Sequence, residues 1–283
     1  MNYSRVQTFK VGHCRHPEVT TKRDGTLSSV DFFALPSLIQ HPVEGPILFD
    51  TGYDQAFLDA TDRFPEKMYR LLTPVSFSAE DSLAAQLERQ GIRCAYVRHV
   101  ILSHFHGDHM AGIHHFPNAR FHCAKAGFEI THKVGKIAGT RQGILPRLLP
   151  DDFAPRAQFF EEGNAVALPA DFAPFERGAD LFGDGSVIAV ELPGHCPGHW
   201  GVAVRDDAHG WHLLVGDAAW SLDAIERNVP PPRIATAFLG HTASARATLT
   251  KLHQLHRRNP DMRLSPYHCS LRASEVGIEV GDV

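Results

Sequence analysis

Apolar residues in the first third of the chain form short runs separated by turn residues. Asp31–Gln40 is largely apolar, and Ile47–Phe49 is a shorter apolar run that ends at Asp50. Gly45 and Pro46 precede the second run, and this pair is typical of turns. The pattern predicts strands joined as a hairpin or meander.

Two segments have the hydrophobic spacing of amphipathic helices. Ser78–Gln90 places two leucines four residues apart, with Ser78 and Asp81 as a capping box and Gly91 as the C-terminal stop. Ser244–Arg258 repeats leucine on one face and carries basic residues toward its C-terminal half. Both patterns predict helices that bury one face.

Further apolar runs predict strands in the rest of the chain, with one more helix between them. The predicted strands are Val97–Leu102, Asn118–Cys123, Ser186–Leu192, Trp200–Arg205, Trp211–Val215 and Met262–Pro266, and the predicted helix is Ala124–Gly135. Strands therefore come first, strand and helix then alternate, strands follow again, and a helix and a strand come last. This order predicts a layered α/β protein with at least one mixed sheet.

Lys136–Pro155 interrupts the alternation, because two glycines and three prolines break any regular period. Long ordered connections of this kind are often lids or binding loops, so we expect an insertion or lid over residues 136–155. The sequence has no internal repeat and no low-complexity linker. We therefore predict a single domain over residues 1–283.

Composition and charge exclude several kinds of partner. Apolar residues make up 43% of the 283 residues, enough for a sizeable core, and the net charge is −4. The mildly acidic charge does not favour a nucleic-acid partner. No stretch reaches the ~18 apolar residues that a membrane span needs, so no membrane association is expected.

Cysteine usage favours a reducing compartment. The five cysteines are odd in number and none forms a CxxC pair, so a disulfide framework is not expected. Met1–Gly12 has no basic start followed by a long apolar run, so it does not resemble a signal peptide. Both observations predict a cytoplasmic protein.

Four potential metal ligands lie within six residues directly after a predicted buried strand. His104 and His106 alternate, so both can project from the same side of an extended backbone. Gly107 lets the chain turn sharply before Asp108 and His109. Imidazole and carboxylate ligands together suit Zn²⁺ and its neighbours Mn²⁺, Fe²⁺ and Co²⁺. The alternative is a histidine-rich surface loop, but a buried strand seldom ends in such a cluster without cause.

Three later residues each follow a predicted strand and are candidates to complete two metal sites. They are His195 in the turn Pro193–His199, Asp217 after an apolar run, and His268 after the last strand. Functional groups are commonly carried on loops at the ends of rigid elements. Each residue alone would be better explained by a structural role, and only the first cluster makes a site the better interpretation.

With these motifs, the chain resembles the metallo-β-lactamase superfamily. His104–His109 matches the family's HxHxDH loop, Asp50–Gly52 its early DTG turn, Pro193–His199 its PGHxPGH turn, and Gly216 with Asp217 its GD pair. Order and rough spacing agree from about Val30 to His268. The resemblance implies a four-layer αββα sandwich with two mixed sheets and the metals at one edge.

The resemblance also implies a role for each matched residue. It places His104, His106 and His195 on one metal, Asp108, His109 and His268 on a second, and Asp217 on both. It implies that Asp50 orients ligands, and that His199 orients ligands or packs against them without binding a metal. Two divalent ions per chain are therefore expected, with zinc favoured and iron or manganese as alternatives.

The expected chemistry is hydrolysis of an ester by a hydroxide that bridges the two metals. Adjacent cations lower the pKa of a bound water toward neutrality, and one of them stabilises the developing oxyanion. Asp108 lies beside the bridging oxygen and can take and return its proton. No protein nucleophile is needed, so the neighbouring Cys196 is interpreted as a buried structural residue.

Within the superfamily, the chain is most similar to the N-acyl-homoserine lactonase branch. Trp220 stands where those lactonases carry a tyrosine that hydrogen-bonds the substrate carbonyl, so we expect Trp220 to contact substrate. An indole N–H donates one hydrogen bond and has no ionisable hydroxyl. Cys269 is a second departure, because the lactonases commonly have Asp there. A lactone is the favoured small-molecule substrate.

The alternatives are a thioesterase or phosphodiesterase of the same fold, or a metal-binding regulatory protein without catalytic activity. The ligand set is complete, which favours an enzyme over the regulatory alternative. Met68, Tyr69 and Leu72 are apolar enough to line a pocket, although the protein core or the contact of a homodimer would explain them equally well.

Overall fold

The computed structural model describes residues 3–206, 210–236 and 239–276. The strands are β1 (Arg5–Thr8), β2 (His13–Pro17), β3 (Ser29–Phe33), β4 (Ser37–His41), β5 (Gly45–Phe49), β6 (Val75–Ser76), β7 (His99–Ile101), β8 (Arg120–Cys123), β9 (Ala157–Phe159), β10 (Asn164–Ala167), β11 (Arg177–Asp180), β12 (Val187–Glu191), β13 (Trp200–Asp206), β14 (Gly210–Gly216) and β15 (Arg263–Pro266). The helices are α1 (Gln55–Ala60), α2 (Lys67–Leu72), α3 (Leu83–Arg89), α4 (Gly107–Met110), α5 (Lys125–Lys133), α6 (Lys136–Arg141), α7 (Phe153–Arg156), α8 (Leu222–Arg227), α9 (Arg233–Thr236), α10 (Thr242–Arg258) and α11 (Ser270–Glu275).

Two six-stranded sheets and one small sheet are formed. The first has the order β1-β4-β5-β7-β8-β9, antiparallel from β1 to β5 and parallel from β5 to β9. The second runs β10 to β15 in chain order, antiparallel except that β15 lies parallel to β14. The prediction of two mixed sheets is confirmed. A three-stranded sheet of β3, β2 and β6 was not predicted.

The two large sheets pack face to face, and helices cover their outer faces. Alternate strand residues point to opposite faces, so Ile47 enters the core between the sheets while Leu48 enters the core under the helices. Leucines of α3 pack on the outer face of the first sheet, and leucines of α10 pack on that of the second. The four-layer αββα arrangement predicted from the motifs is therefore present.

The predicted start of the first amphipathic helix is wrong. Residues 79–81 form a 3₁₀ turn, and α3 begins only at Leu83, because the Ser82 hydroxyl rather than that of Ser78 caps it by accepting a hydrogen bond from Ala85 N–H. Ser78 instead donates to the Asp81 carboxylate at 3.0 Å. Gly91 ends the segment as predicted, with φ of +78°.

One other boundary differs from the prediction. The apolar run Asp31–Gln40 is divided between β3 and β4, which belong to different sheets, so only β4 and β5 form the predicted hairpin. Residues 136–155, where an insertion or lid was predicted, contain α6 and the start of α7.

None of the helices in the described ranges combines the length and apolar character needed to cross a membrane.

Candidate metal centre

The candidate ligands meet at one edge of the sandwich because the strands that precede them point the same way. β5 and β7 are parallel in the first sheet, and β12, β14 and β15 run in a common direction in the second. The residues that follow these strands are brought together at their carboxyl ends. All seven predicted ligands are buried there, namely His104, His106, Asp108, His109, His195, Asp217 and His268.

The first group contains three imidazoles around one point. His106 Nδ1 lies 3.1 Å from His195 Nε2, and the His104 and His195 ring centroids are 4.8 Å apart. A ligand atom from each of these residues lies within 4.8 Å of the others. Ligands of one tetrahedral zinc ion lie roughly 3.4 Å apart, since each is about 2.0–2.1 Å from the metal, so this spacing fits a single ion.

The second group contains Asp108, His109 and His268. His268 Nε2 is 3.4 Å from Asp108 Oδ2, and His109 Nε2 is 3.6 Å from the same oxygen. Asp108 and His109 lie in α4, where the preceding Gly107 packs so closely against Phe57 that a side chain would collide with its ring. This close packing holds the start of α4 in place, so that both Asp108 and His109 face the same site.

Asp217 lies between the two groups and presents a different oxygen to each. Oδ2 is 3.2 Å from His195 Nε2, and Oδ1 is 3.3 Å from His268 Nε2. The sharp turn before it needs Gly216, which has φ of +54° and leaves no room for a Cβ beside the His199 ring. A carboxylate placed in this way can bind two neighbouring ions at once.

Asp50 fixes the orientation of two of the histidines. Its Oδ1 accepts the Ser103 backbone N–H at 2.8 Å, while Oδ2 accepts the Ser103 hydroxyl at 2.7 Å and His109 Nδ1–H at 2.8 Å. The Ser103 oxygen in turn accepts His104 Nδ1–H at 2.9 Å. In its neutral form each ring therefore carries its proton on Nδ1 and leaves a lone pair on Nε2 for a metal.

His199 and His268 are oriented by backbone groups. His268 donates through Nδ1 to the Phe33 carbonyl oxygen at 2.8 Å, which leaves Nε2 free to bind a metal. His199 donates through Nδ1 to the Leu192 carbonyl oxygen and accepts the Asp217 N–H on Nε2, each at 3.0 Å. Since both nitrogens of His199 are occupied, it orients Asp217 and is not a ligand in this geometry.

Protonation states suit metal binding in the first group. Burial, reinforced by the neighbouring imidazoles, lowers the pKa of His104 well below its usual value. Burial likewise lowers the pKa of His106 to about 4. In the second group, burial opposes protonation of His109, but the surrounding carboxylates, led by Asp108, outweigh it and raise its pKa well above 6.5. A metal ion would displace that proton.

The donor set fits divalent metal ions. His104 Nε2, His109 Nε2 and Asp217 Oδ1 are buried and make no hydrogen bond to any residue that the structure describes, although buried polar atoms are normally paired. Nitrogen and carboxylate oxygen atoms together match the preferences of zinc and its neighbours. Cys196 also brings its sulfur within 4.8 Å of the first group, but burial raises the pKa of its thiol well above 9.0, so it is a neutral thiol.

A cleft of about 440 Å³ opens over these ligands. Trp220 lines it, with its ring centroid 6.3 Å from that of His195 and 6.0 Å from that of Phe32. Met68, Tyr69 and Leu72 of α2 form part of its wall, as do Thr140 and Gly143 from the predicted insertion.

Tyr69 adds a polar group that no sequence motif indicated. It lines the same cleft as Asp108, and burial together with the charge of that carboxylate raises the pKa of the phenol well above 10.0. The group is therefore a neutral O–H donor beside Asp108. Because the two residues are 39 positions apart, no local motif marks the contact.

Comparison with known proteins gives consistent results. The family description "Metallo-beta-lactamase superfamily" matches residues 31–265. A probable metallo-hydrolase of Mycobacterium tuberculosis is 30% identical over 230 residues, which are 80% of this chain and 71% of that protein. The N-acyl homoserine lactonase AttM of Azorhizobium caulinodans is 32% identical over 63% of this chain and 61% of its own length.

Solved structures share the fold. An AiiA variant from B. thuringiensis with N-decanoyl-L-homoserine bound at its active site superposes with a TM-score of 0.72 at 19% identity, covering 99% of this chain and 98% of that one. AidC, a dizinc quorum-quenching lactonase, has a TM-score of 0.63 at 16% identity, covering 94% and 91%. The family match spans most of the chain, and the M. tuberculosis relative agrees with it. The chain belongs to the metallo-β-lactamase superfamily.

Proposed function

We propose that this metal-dependent hydrolase holds two divalent ions and cleaves a carboxylic ester, with a lactone as the favoured substrate. The observation that carries the proposal is the position of Asp217, whose two oxygens face two separate groups of ligands. The proposed ligands are His104, His106 and His195 for one ion, Asp108, His109 and His268 for the other, and Asp217 for both. Zinc is favoured, with iron or manganese as alternatives.

The bound ions would supply an activated water and polarise the substrate carbonyl. Side chains of this protein would move the proton and orient the substrate. Asp108 faces the cleft and is the proposed carrier of the proton that moves between water and the leaving oxygen. Tyr69 stands beside Asp108 as a neutral donor, so its single O–H can donate either to that carboxylate or to the substrate.

A lactone is favoured over a phosphodiester for two reasons. The relatives named AttM are N-acyl homoserine lactonases, and solved structures of proteins with this fold contain bound N-acyl-homoserine products. The walls of the cleft are largely apolar, with Phe32, Met68, Leu72 and Trp220 among them. An apolar wall suits the hydrocarbon part of an ester better than the charges of a phosphate.

Trp220 limits how closely the substrate can follow the lactonase pattern. Its indole has no hydroxyl, so it cannot reproduce the tyrosine of those enzymes, and its ring offers a flat apolar surface instead. We propose that residues 136–155 form a fixed wall opposite it, because Gly143 lies against the His106 ring and accepts the Gly107 N–H at 3.2 Å.

All five cysteines are free, which supports a cytoplasmic location.

The proposal is tested by counting metal and by a substrate panel. Protein purified without chelator is analysed for metal content and assayed against lactones, thioesters and phosphodiesters. We expect about two ions per chain and metal-dependent opening of a lactone. A count that stays at one after metal reconstitution would contradict the dinuclear centre, whereas rapid phosphodiester cleavage without lactone turnover would contradict the substrate class alone.

A further inference from the structure

A second cluster of metal-ligating side chains lies outside the cleft. Asp54 caps the N-terminus of α1, where its Oδ1 accepts the Ala56 N–H at 3.1 Å. It is only 3% exposed, so its carboxylate is fixed in position. His114 and His115 lie on the 3₁₀ turn that follows α4, and both imidazoles face this carboxylate.

The distances within this cluster resemble those around a bound ion. His115 Nε2 is 2.9 Å from Asp54 Oδ2, and His114 Nε2 is 3.4 Å from Asp54 Oδ1. One ligand atom from each residue lies within 4.8 Å of the others. Two ligands of a tetrahedral zinc ion lie roughly 3.4 Å apart, so small side-chain rotations would place all three on one metal.

The hydrogen bonding of His114 leaves a lone pair facing the carboxylate. Its Nδ1 lies 3.1 Å from the Ala111 carbonyl oxygen, which can only accept, so the neutral ring carries its proton on Nδ1. Nε2 then presents a lone pair to the Asp54 carboxylate, and the two repel. A divalent cation between these atoms would convert the repulsion into coordination, while protonation of His114 would relieve it without a metal.

We propose that Asp54, His114 and His115 bind one divalent transition-metal ion such as Zn²⁺. Two imidazoles with one carboxylate favour zinc and its neighbours over Mg²⁺ or Ca²⁺, which prefer oxygen ligands. The side chains of His114 and His115 are 41% and 37% exposed, so water can complete the coordination. The site shares no side chain with the candidate metal centre in the cleft and does not depend on the proposed hydrolase activity.

The test compares zinc binding by matched variants of the metal-loaded protein. His114→Gln and His115→Gln each remove an imidazole, while the amide can still hydrogen-bond Asp54. His132→Gln, at an exposed position of α5, controls for the loss of one histidine. Each protein is dialysed against buffers of fixed free Zn²⁺, its zinc is counted by elemental analysis, and its fold is checked by circular dichroism.

We expect the wild type and His132→Gln to bind one zinc ion more than the other two variants at the same free concentration. Losing a residue that only orients a ligand costs about 10–100-fold in metal affinity, so losing a ligand should weaken binding by at least that factor. Excess Mg²⁺ should not displace the additional zinc.

Identical zinc isotherms for all four proteins would overturn the proposal and leave His115 hydrogen-bonded to Asp54 without a metal. Displacement by Mg²⁺ would overturn it as well, since the imidazoles would then contribute nothing. If the candidate metal centre in the cleft holds fewer than two ions, the number of zinc ions per chain falls equally in every variant. The wild type still binds one ion more than His114→Gln and His115→Gln. Failure of the proposed dinuclear centre is therefore distinguishable from failure of this site.

Discussion

His199→Ala tests whether a buried histidine next to the metal ligands serves structure rather than coordination. His199 is 1% exposed and joins two backbone groups, the Leu192 carbonyl and the Asp217 N–H, at 3.0 Å each. Alanine leaves both groups buried without a partner. We therefore expect a less stable protein whose metal content is unchanged.

The size of the effect follows from these two hydrogen bonds. Each buried group left without a partner costs about 1–3 kcal/mol, so the free energy of unfolding should fall by roughly 2–6 kcal/mol. Native proteins have in total about 5–15 kcal/mol, so the variant keeps its fold with a small margin. At roughly 2–4 °C per kcal/mol, Tm should fall by about 10 °C.

Urea denaturation, followed by circular dichroism at saturating metal for every protein, measures the decrease in the free energy of unfolding. Elemental analysis counts the bound ions. His253→Ala is the matched control, because His253 is half-buried and donates one hydrogen bond, to the Ile225 carbonyl at 2.9 Å. It should cost at most about 1.5 kcal/mol. If His199→Ala instead loses an ion while its unfolding free energy matches that of the control, His199 is a ligand and our assignment is wrong.

Three further predictions follow from the same site and from the core. Asp108→Asn should lower kcat per bound metal by about 10²–10⁴-fold, because a proton carrier is lost as well as a ligand; a loss no larger than the loss of metal would argue against that role. Trp220→Tyr should raise lactone turnover about tenfold or more if residue 220 contacts the carbonyl oxygen, whereas Trp220→Phe should not. Burial lowers the pKa of His122 to about 3, so native protein binds fewer protons than unfolded protein between about pH 6.5 and 3, and stability falls as pH drops through that window. His122→Phe should flatten this dependence in chelator-treated protein, and an unchanged slope in urea titrations would contradict the assignment.

The local patterns predicted which candidate ligands cluster better than they predicted the elements that surround this cluster. His104, Asp217 and His268 each follow an apolar strand, and a strand end is defined by residues adjacent in sequence. The start of α3 was missed because Ser78 and Ser82 both have capping chemistry, and only packing decides between them. The division of residues 31–40 between two sheets was equally invisible, since an apolar run does not reveal which partner strand it pairs with.

The cleft depends on contacts that no local pattern encodes. Tyr69 reaches Asp108 only because α2 packs over the site, with the Tyr69 ring 5.3 Å from that of Phe57. The phenol beside the proposed proton carrier therefore comes from α2, whereas the lactonase pattern places a tyrosine at position 220, where this chain has tryptophan. This chain therefore has a hydroxyl donor on the Asp108 side of the cleft and a flat apolar ring near His195. Under the proposed function, these two side chains would select which ester fits above the ions, whereas the proposed ligands would determine the chemistry.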